Sequence, residues 1–343
     1  DIVEIGKIPD KEKRSPKIIE AQDLIVSPGF IDIQSYSDSS AFIDKFSKNK
    51  IYQGITSEIL VDGIPTGSAQ KGLNIESEKL NANSSRKKLG IYFNNLIDRG
   101  ISINVGTYVG LHKILQGVLG SSKRQVNPSD ISEIKELIRE EMVDGALGLS
   151  NSFSKLIKES MTPNELIVLA GVVAKYGGIY SAYIRGKKKE LQSAIKETVR
   201  ISKEANIPTD IINLESTDES FFGQVEQIIR IIDKYRATGV LMTMTQSPYL
   251  TGKDEAGLGI ISSMQEKDVI SVLKVDWVSI GSGGKNFDFN KDFISRKIHP
   301  RSYGTFSRVL GKFIRDKGIS DVETAIKKMT WLNAKKLGLQ NRG

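Results

Sequence analysis

Short apolar runs alternate with amphipathic stretches along most of the chain. Most of these runs lack a clean alternation of apolar and polar residues, which is typical of parallel strands buried on both faces. They are bounded by turn residues, and the intervening stretches are long enough for helices. The pattern predicts eight strands, at residues 30–36, 55–61, 102–109, 146–150, 179–184, 209–214, 240–245 and 278–282.

Recognisable start signals precede several of the predicted helices. Residues 127–128 are Asn-Pro, an N-cap followed by proline in the first helical position. An apolar stripe typical of an amphipathic helix follows them at Ile131, Ile134, Ile138 and Met142. Residues 162–165, Thr-Pro-Asn-Glu, predict a capping box, and residues 320–323, Ser-Asp-Val-Glu, predict a second one.

Eight strand-helix alternations predict an α/β fold with right-handed crossovers. A TIM-like (β/α)8 barrel closes such a chain naturally at about 250 residues, although periodicity alone leaves a doubly wound open sheet as an alternative. We assign the barrel and its C-terminal helices to residues 28–343. Residues 1–27 hold two short β-like runs, 2–8 and 17–26, which predict a hairpin belonging to a partial β-sandwich.

Composition narrows the chemistry. The 343 residues include no cysteine and only two histidines, His112 and His299, which excludes disulfides, thiolate ligands and a zinc site built from three or four histidines. The net charge is +8. Two explanations of this positive charge are open: a solvated basic face, or binding to an acidic partner such as RNA, a ribosome or a membrane surface. No RNA-binding motif is present. No apolar run is long enough for a membrane span, and we expect a cytoplasmic protein, with protein partners or a homo-oligomer left open.

One stretch carries a family resemblance. Residues 27–38 read Ser-Pro-Gly-Phe-Ile-Asp-Ile-Gln-Ser-Tyr-Ser-Asp. They resemble the first barrel strand of the amidohydrolase superfamily, in which Pro-Gly-Phe-Ile-Asp precedes a metal-binding His-x-His pair. Five further stretches are similar, in the same order, to the N-acyl-D-amino-acid deacylase (D-aminoacylase) branch of that superfamily, at residues 53–57, 144–150, 176–185, 299–306 and 325–343. The resemblance implies a (β/α)8 barrel, a zinc cofactor and hydrolysis of an N-acyl amino acid.

The positions that the resemblance assigns to the metal and to catalysis are all changed. Four histidine positions hold Gln34, Tyr36, Tyr183 and Asn213, and the catalytic aspartate position holds Gly283. The turn that places a metal-binding cysteine reads Val-Asp-Gly-Ile at residues 61–64. We therefore expect a pseudoenzyme, a structural or binding protein that holds no metal, in which the four polar side chains hydrogen-bond to one another and fill the vacated cavity.

Other interpretations remain open from the sequence. Asp38 and Asp62 are the carboxylates expected near the mouth, and with amide oxygens they could hold a hard ion such as Mg²⁺ or Ca²⁺. Arg185 follows a former histidine position and could receive a small carboxylate ligand. An active amidohydrolase with a site rearranged around Asp38, Asp62 and Arg185, and an assembly subunit that binds an acidic partner, are the alternative functions. His299 is expected to pack against the terminal helices, and it completes the candidate pocket.

Overall fold

A computed structural model describes residues 6, 18–37, 44–63, 88–120, 122, 124–151, 155–184, 191–212, 214, 223–250, 264–287 and 298–343. Its strands are all parallel to their neighbours, in two sheets of three and six strands. They are β1 (Phe30–Ser35), β2 (Ile55–Leu60), β3 (Asn104–Thr107), β4 (Val109–Gly110), β5 (Gly148–Ser150), β6 (Ile179–Ala182), β7 (Thr209–Ile212), β8 (Met242–Gln246) and β9 (Val278–Ile280).

The two sheets form one eight-stranded barrel. The third predicted strand is interrupted at Tyr108, which divides it into β3 and β4, but hydrogen bonds from Tyr108 N to Leu60 O and from Leu147 N to Thr107 O continue the pairing. On the other side, a parallel bridge joins Ser35 to Gly284 and closes β1 onto the segment after β9. All eight predicted barrel strands are therefore present, and the open-sheet alternative is wrong.

Helices surround the strands. They are α1 (Lys48–Ile51), α2 (Lys88–Arg99), α3 (Leu111–Leu119), α4 (Pro128–Val143), α5 (Lys155–Ser160), α6 (Pro163–Ala174), α7 (Leu191–Glu204), α8 (Val225–Arg236), α9 (Glu266–Leu273), α10 (Arg301–Arg308), α11 (Val322–Met329) and α12 (Trp331–Lys336), with a π-helical segment at Val309–Asp316 after α10.

Two of the predicted helix starts are confirmed and one is shifted. Asn127 caps α4 because its side chain accepts a hydrogen bond from Asp130 N. The Asp130 carboxylate in turn accepts from Asn127 N, so the two residues form a capping box. The Thr162 box at α6 is present as well. At α11 the N-cap is Asp321 rather than Ser320, and the Asp321 carboxylate accepts from Thr324 N at 2.6 Å. The shift by one residue is possible because Asp is as good an N-cap as Ser.

Apolar residues fill both the barrel and the space around it. Two clusters of buried side chains lie between the strands and the helices. A third cluster joins Ile31 and Ile33 of β1 to Ile179 of β6. Since β1 and β6 are not neighbours in the sheet, this cluster fills the barrel interior. Leu337, just after α12, completes it, so the last helix closes the end of the barrel where the strands begin.

Two sequence predictions concern other parts of the chain. Of the first run of the predicted N-terminal hairpin, 2–8, only residue 6 is described, and residues 18–26 of the second run are irregular, so the β-sandwich fragment stays a prediction. Among the residues that the structure describes, no helix is long and apolar enough to cross a membrane.

Candidate functional site

Side chains from opposite sides of the barrel meet at its mouth, where the strands end. Gln34 of β1 donates from Nε2 to the hydroxyl of Tyr183, which directly follows β6, at a distance of 3.2 Å. The hydroxyls of Tyr36 and Tyr183 also hydrogen-bond to each other. The expected mutual hydrogen bonding is therefore present for Gln34, Tyr36 and Tyr183, while the fourth expected member, Asn213, lies outside the described residues.

Asn151 fixes the position of Tyr183. The amide of Tyr183 donates to Asn151 Oδ1 at 2.6 Å, and Asn151 Nδ2 donates to the Tyr183 carbonyl at 3.2 Å. Asn151 follows β5 and is buried. Two hydrogen bonds to the backbone of one residue hold the main chain from which the phenol projects. The adjacent strand end thus presents the Tyr183 hydroxyl to the mouth.

Gly283 faces an arginine across the mouth. Its φ is +61°, in the left-handed region that glycine adopts readily. A Cβ at this position would lie 3.3 Å from Arg301 Nη1 and 3.9 Å from Gln34 Nε2. A side chain at residue 283 would therefore point at a guanidinium, and glycine itself supplies no carboxylate there.

Arg301 is itself held in place. Its backbone N and its Nε donate to His299 Nδ1 at 3.1 and 3.3 Å, so Nδ1 is the acceptor nitrogen of that ring. The Tyr249 ring packs edge-on against His299, with the ring centroids 5.4 Å apart. Burial raises the pKa of Tyr249 to about 12, which keeps its phenol neutral at physiological pH. His299 thus packs against Tyr249 and orients the Arg301 side chain.

Beneath the mouth, a buried network joins the middle of β1 to the segment directly after β9. Asp32 accepts from Ser282 N at 2.9 Å and from Ser282 Oγ at 2.5 Å. Lys50 Nζ lies 2.7 Å from Asp32 and 3.3 Å from Glu58, and all three charged side chains are fully buried. Burial alone would lower the pKa of Lys50, but the two carboxylates outweigh it and the pKa is raised. The lysine is therefore protonated, and the network holds β1 against the segment after β9.

Three predicted pocket residues remain: Asp38, Asp62 and Arg185. Asp38 and Arg185 lie outside the described residues, so the predicted hard-ion site and the rearranged hydrolase site stay predictions. Asp62, just after β2, is an electrostatic neighbour of His112 in α3. Burial lowers the pKa of His112, and the Asp62 charge partly opposes this shift.

The donors gathered at the mouth do not fit zinc. Zinc in proteins is held by imidazole, thiolate or carboxylate groups. Gln34 offers a neutral amide, and Tyr36 and Tyr183 offer phenols that ordinarily lose a proton only near pH 10. Over the described part of the chain, no group of three or more His, Cys, Asp or Glu side chains could hold a metal ion.

Three residues that shape the site are not predicted from the sequence: Arg301, Asn151 and Lys50. Arg301 belongs to the His-Pro-Arg stretch at residues 299–301, where the sequence predicts a role for His299 alone. A cation in the first turn of a helix opposes the helix dipole, and this signal could have indicated a separate role for Arg301. Asn151 and Lys50 act through contacts with distant strands, which no local pattern reveals.

Comparisons with known proteins agree with the barrel fold. No model of a known protein family matches the chain. The chain is 25% identical over 392 residues to a D-aminoacylase of Alcaligenes xylosoxydans xylosoxydans, covering 100% of the chain and 79% of that protein. An N-acyl-D-glutamate deacylase of the same organism is 23% identical, covering 95% of the chain and 75% of that protein. A solved D-aminoacylase structure, described as defining a novel subset of amidohydrolases, superposes with a TM-score of 0.75 at 24% identity, over 92% of the chain and 76% of that structure.

The parallel barrel and its solved counterpart place the fold in the amidohydrolase class of TIM barrels. Within that class, the chain is a homologue of D-aminoacylase and of N-acyl-D-glutamate deacylase.

Proposed function

We propose that this D-aminoacylase-like amidohydrolase homologue has lost its metal centre, and that its barrel mouth binds a small carboxylate without hydrolysing it. The observation that carries the proposal is the pairing of Gly283 with Arg301. A cation faces the point where the resemblance places the catalytic aspartate, and the glycine there offers no charge in return.

Hydrolysis in the relatives' manner needs groups that the described mouth does not supply. The resemblance implies a zinc-bound water and an aspartate that shuttles a proton. At residue 283 the chain has no side chain that could hold a proton. Gln34, Tyr36 and Tyr183 are uncharged and hydrogen-bonded to one another. Their arrangement supports a mouth lined on this side by neutral groups, and none of these three side chains is a base that could activate water.

The proposal that the mouth binds a carboxylate rests on the burial and the charge of Arg301. The residue is only 7% exposed, and among the described residues no carboxylate lies within ion-pair distance of its guanidinium. A buried charge without a counter-charge is costly, and an anion from solution would offset that cost. A guanidinium matches a carboxylate with two parallel hydrogen bonds. An amino acid or N-acyl amino acid carboxylate is therefore the ligand class that the site favours.

Calorimetric titration tests the proposal. The wild-type chain is titrated with N-acetyl-D-leucine and, separately, with its methyl ester, while amine release is followed in the same samples. We expect the acid to bind, the ester to bind much more weakly, and no amine to be released. Arg301→Gln should weaken binding of the acid by about 10–100-fold, since a hydrogen bond to a charged group contributes about 1.5–3 kcal/mol.

Arg200→Gln is the matched control. Arg200 lies on α7, where it is half exposed and paired with Glu204, and its replacement removes the same charge away from the mouth. Equal affinity for acid and ester, equal loss in both variants, or amine release by the wild-type chain would contradict the proposal.

A further inference from the structure

The positive charge of the protein is concentrated near its C-terminal end. Residues 301–343 contain ten basic residues (Lys or Arg) and three acidic residues (Asp or Glu). Their net charge is therefore +7, whereas the whole chain carries +8. The first 300 residues are therefore almost neutral. A charge gathered in one segment produces a local field, which attracts anionic partners more strongly than the same charge spread over the surface.

Most of these cations already have partners inside the protein. Arg301 contacts His299, Arg308 lies over the Tyr249 ring, Lys312 and Lys317 pair with Glu266, Arg315 pairs with Asp316, Lys328 donates to Leu273 O and Val275 O, and Lys336 pairs with Asp210. The remaining three are Lys327, Lys335 and Arg342. All three are exposed, and none forms an ion pair with a carboxylate in the part of the chain that the structure describes.

Two of the three remaining cations frame an exposed tryptophan. Lys327 Nζ lies 5.0 Å from the centroid of the Trp331 ring, and Lys335 Nζ lies 4.8 Å from it. Trp331 and Lys335 are four apart in α12 and share one face of that helix. Lys327, in the last turn of α11, lies beside the same ring. Trp331 is 42% exposed. We call Lys327, Trp331 and Lys335 the Trp331 stripe, in which cation, aromatic ring and cation follow one another.

We propose that the Trp331 stripe binds single-stranded nucleic acid. Proteins that hold a single strand without reading its sequence combine cations along the phosphate backbone with aromatic rings on which bases stack. In this arrangement a base would displace one lysine from the indole face, and both lysines would contact the flanking phosphates. The observation behind this proposal is independent of the barrel mouth and of the proposed carboxylate site.

An anionic bilayer fits the stripe less well. Binding in a membrane interface requires a broad apolar face beside the cations. The large apolar neighbours of Trp331 along these helices, Met329, Leu332 and Leu337, are buried in the protein. The indole is thus the one large apolar side chain that the stripe exposes, which suits stacking of a single base better than insertion among lipids.

Fluorescence anisotropy with a labelled oligothymidylate tests the proposal on the full chain at low salt. The test variant is Lys327→Gln/Lys335→Gln. The matched control is Lys312→Gln/Lys317→Gln, which removes the same charge from the same segment at lysines already paired with Glu266. Thermal unfolding of both variants verifies that they remain folded. Phosphatidylserine vesicles are the second probe.

Trp331 also provides a direct readout. The chain has two tryptophans, so in a Trp277→Phe background the indole fluorescence comes from Trp331 alone, and stacking of a base should quench it.

We expect the wild-type chain to bind the oligonucleotide and to show this quenching. The test variant should bind about tenfold more weakly, and its log–log salt dependence should be shallower by about 1.4, since each phosphate contact on a single strand contributes about 0.7. The control should remain within about twofold of the wild type. Absence of binding, equal loss in test and control variants, unchanged Trp331 fluorescence, or binding to vesicles but not to the oligonucleotide would overturn the proposal.

Discussion

Replacing Lys336 by methionine should destabilise the fold strongly, because it breaks a buried ion pair. Lys336 Nζ lies 2.7 Å from Asp210 Oδ1, and both side chains are 3% exposed. The same ammonium donates to Met244 O and to Ser279 Oγ, each at 2.7 Å. Since Lys336 ends α12 and Asp210 lies in β7, the pair ties the last helix to the barrel interior.

The magnitude follows from what each substitution leaves behind. Lys336→Met leaves the Asp210 carboxylate buried with only the hydroxyls of Thr243 and Thr245, each 2.6 Å away. Breaking a buried pair from one side costs about 3–5 kcal/mol. Asp210→Asn leaves the ammonium without its counter-ion and should cost a similar amount. The double variant leaves no buried charge, so it should cost less than either single change.

Equilibrium unfolding in urea measures the four free energies of this double-mutant cycle. The control is Lys335→Met, one residue earlier and exposed, which should change stability by no more than about 0.5 kcal/mol. A loss below about 1 kcal/mol for Lys336→Met, or a double variant whose loss equals the sum of the single losses, would refute the reasoning, because the pair would then be neither buried nor coupled as described.

Three further predictions follow from individual contacts. Burial lowers the pKa of Lys328 to about 8 from 10.5, so the folded chain binds fewer protons than the unfolded chain between these values. The unfolding free energy of the wild-type chain relative to that of Lys328→Met, measured by urea titration at each pH, should therefore rise by roughly 3 kcal/mol between pH 8 and pH 10.5. A difference that does not change with pH would contradict this assignment. Gly283→Asp should place a carboxylate against Arg301 and abolish calorimetric binding of N-acetyl-D-leucine, whereas undiminished binding would show that the ligand lies elsewhere. Asn151→Ala removes both bonds to the Tyr183 backbone and should cost about 1–3 kcal/mol of stability in urea; a neutral result would mean that Asn151 does not hold Tyr183.

Much of the fold could be predicted because its signals are local. Buried parallel strands read as short apolar runs, and the caps at Asn127 and Thr162 use hydrogen bonds within four residues. The break at Tyr108 gave no such signal, since it depends on how neighbouring strands pair. The shifted cap at Asp321 shows that two adjacent good N-cap residues cannot be distinguished without the helix itself.

The candidate site, like the fold, could be predicted from the sequence only in part. Mutual hydrogen bonding of Gln34, Tyr36 and Tyr183 could be expected, because the carboxyl ends of all the strands of a barrel meet at one mouth. The role of Arg301 could not, since it depends on where a Cβ at residue 283 would lie relative to the guanidinium, and 18 positions separate the two residues in the sequence. The Lys50 network joins α1 to β1 and β2 through buried charge, which hydrophobic patterning does not report.

Metal content measured together with turnover tests the central claim most directly. The chain is purified, its bound metal is determined by mass spectrometry, and hydrolysis of N-acetyl-D-amino acids is followed with added zinc, cobalt or nickel. A mouth lined by Gln34, Tyr36, Tyr183 and Gly283 predicts substoichiometric metal and no amine release with any of the three ions. Near-stoichiometric metal with turnover would contradict the account and would require ligands outside this set of residues.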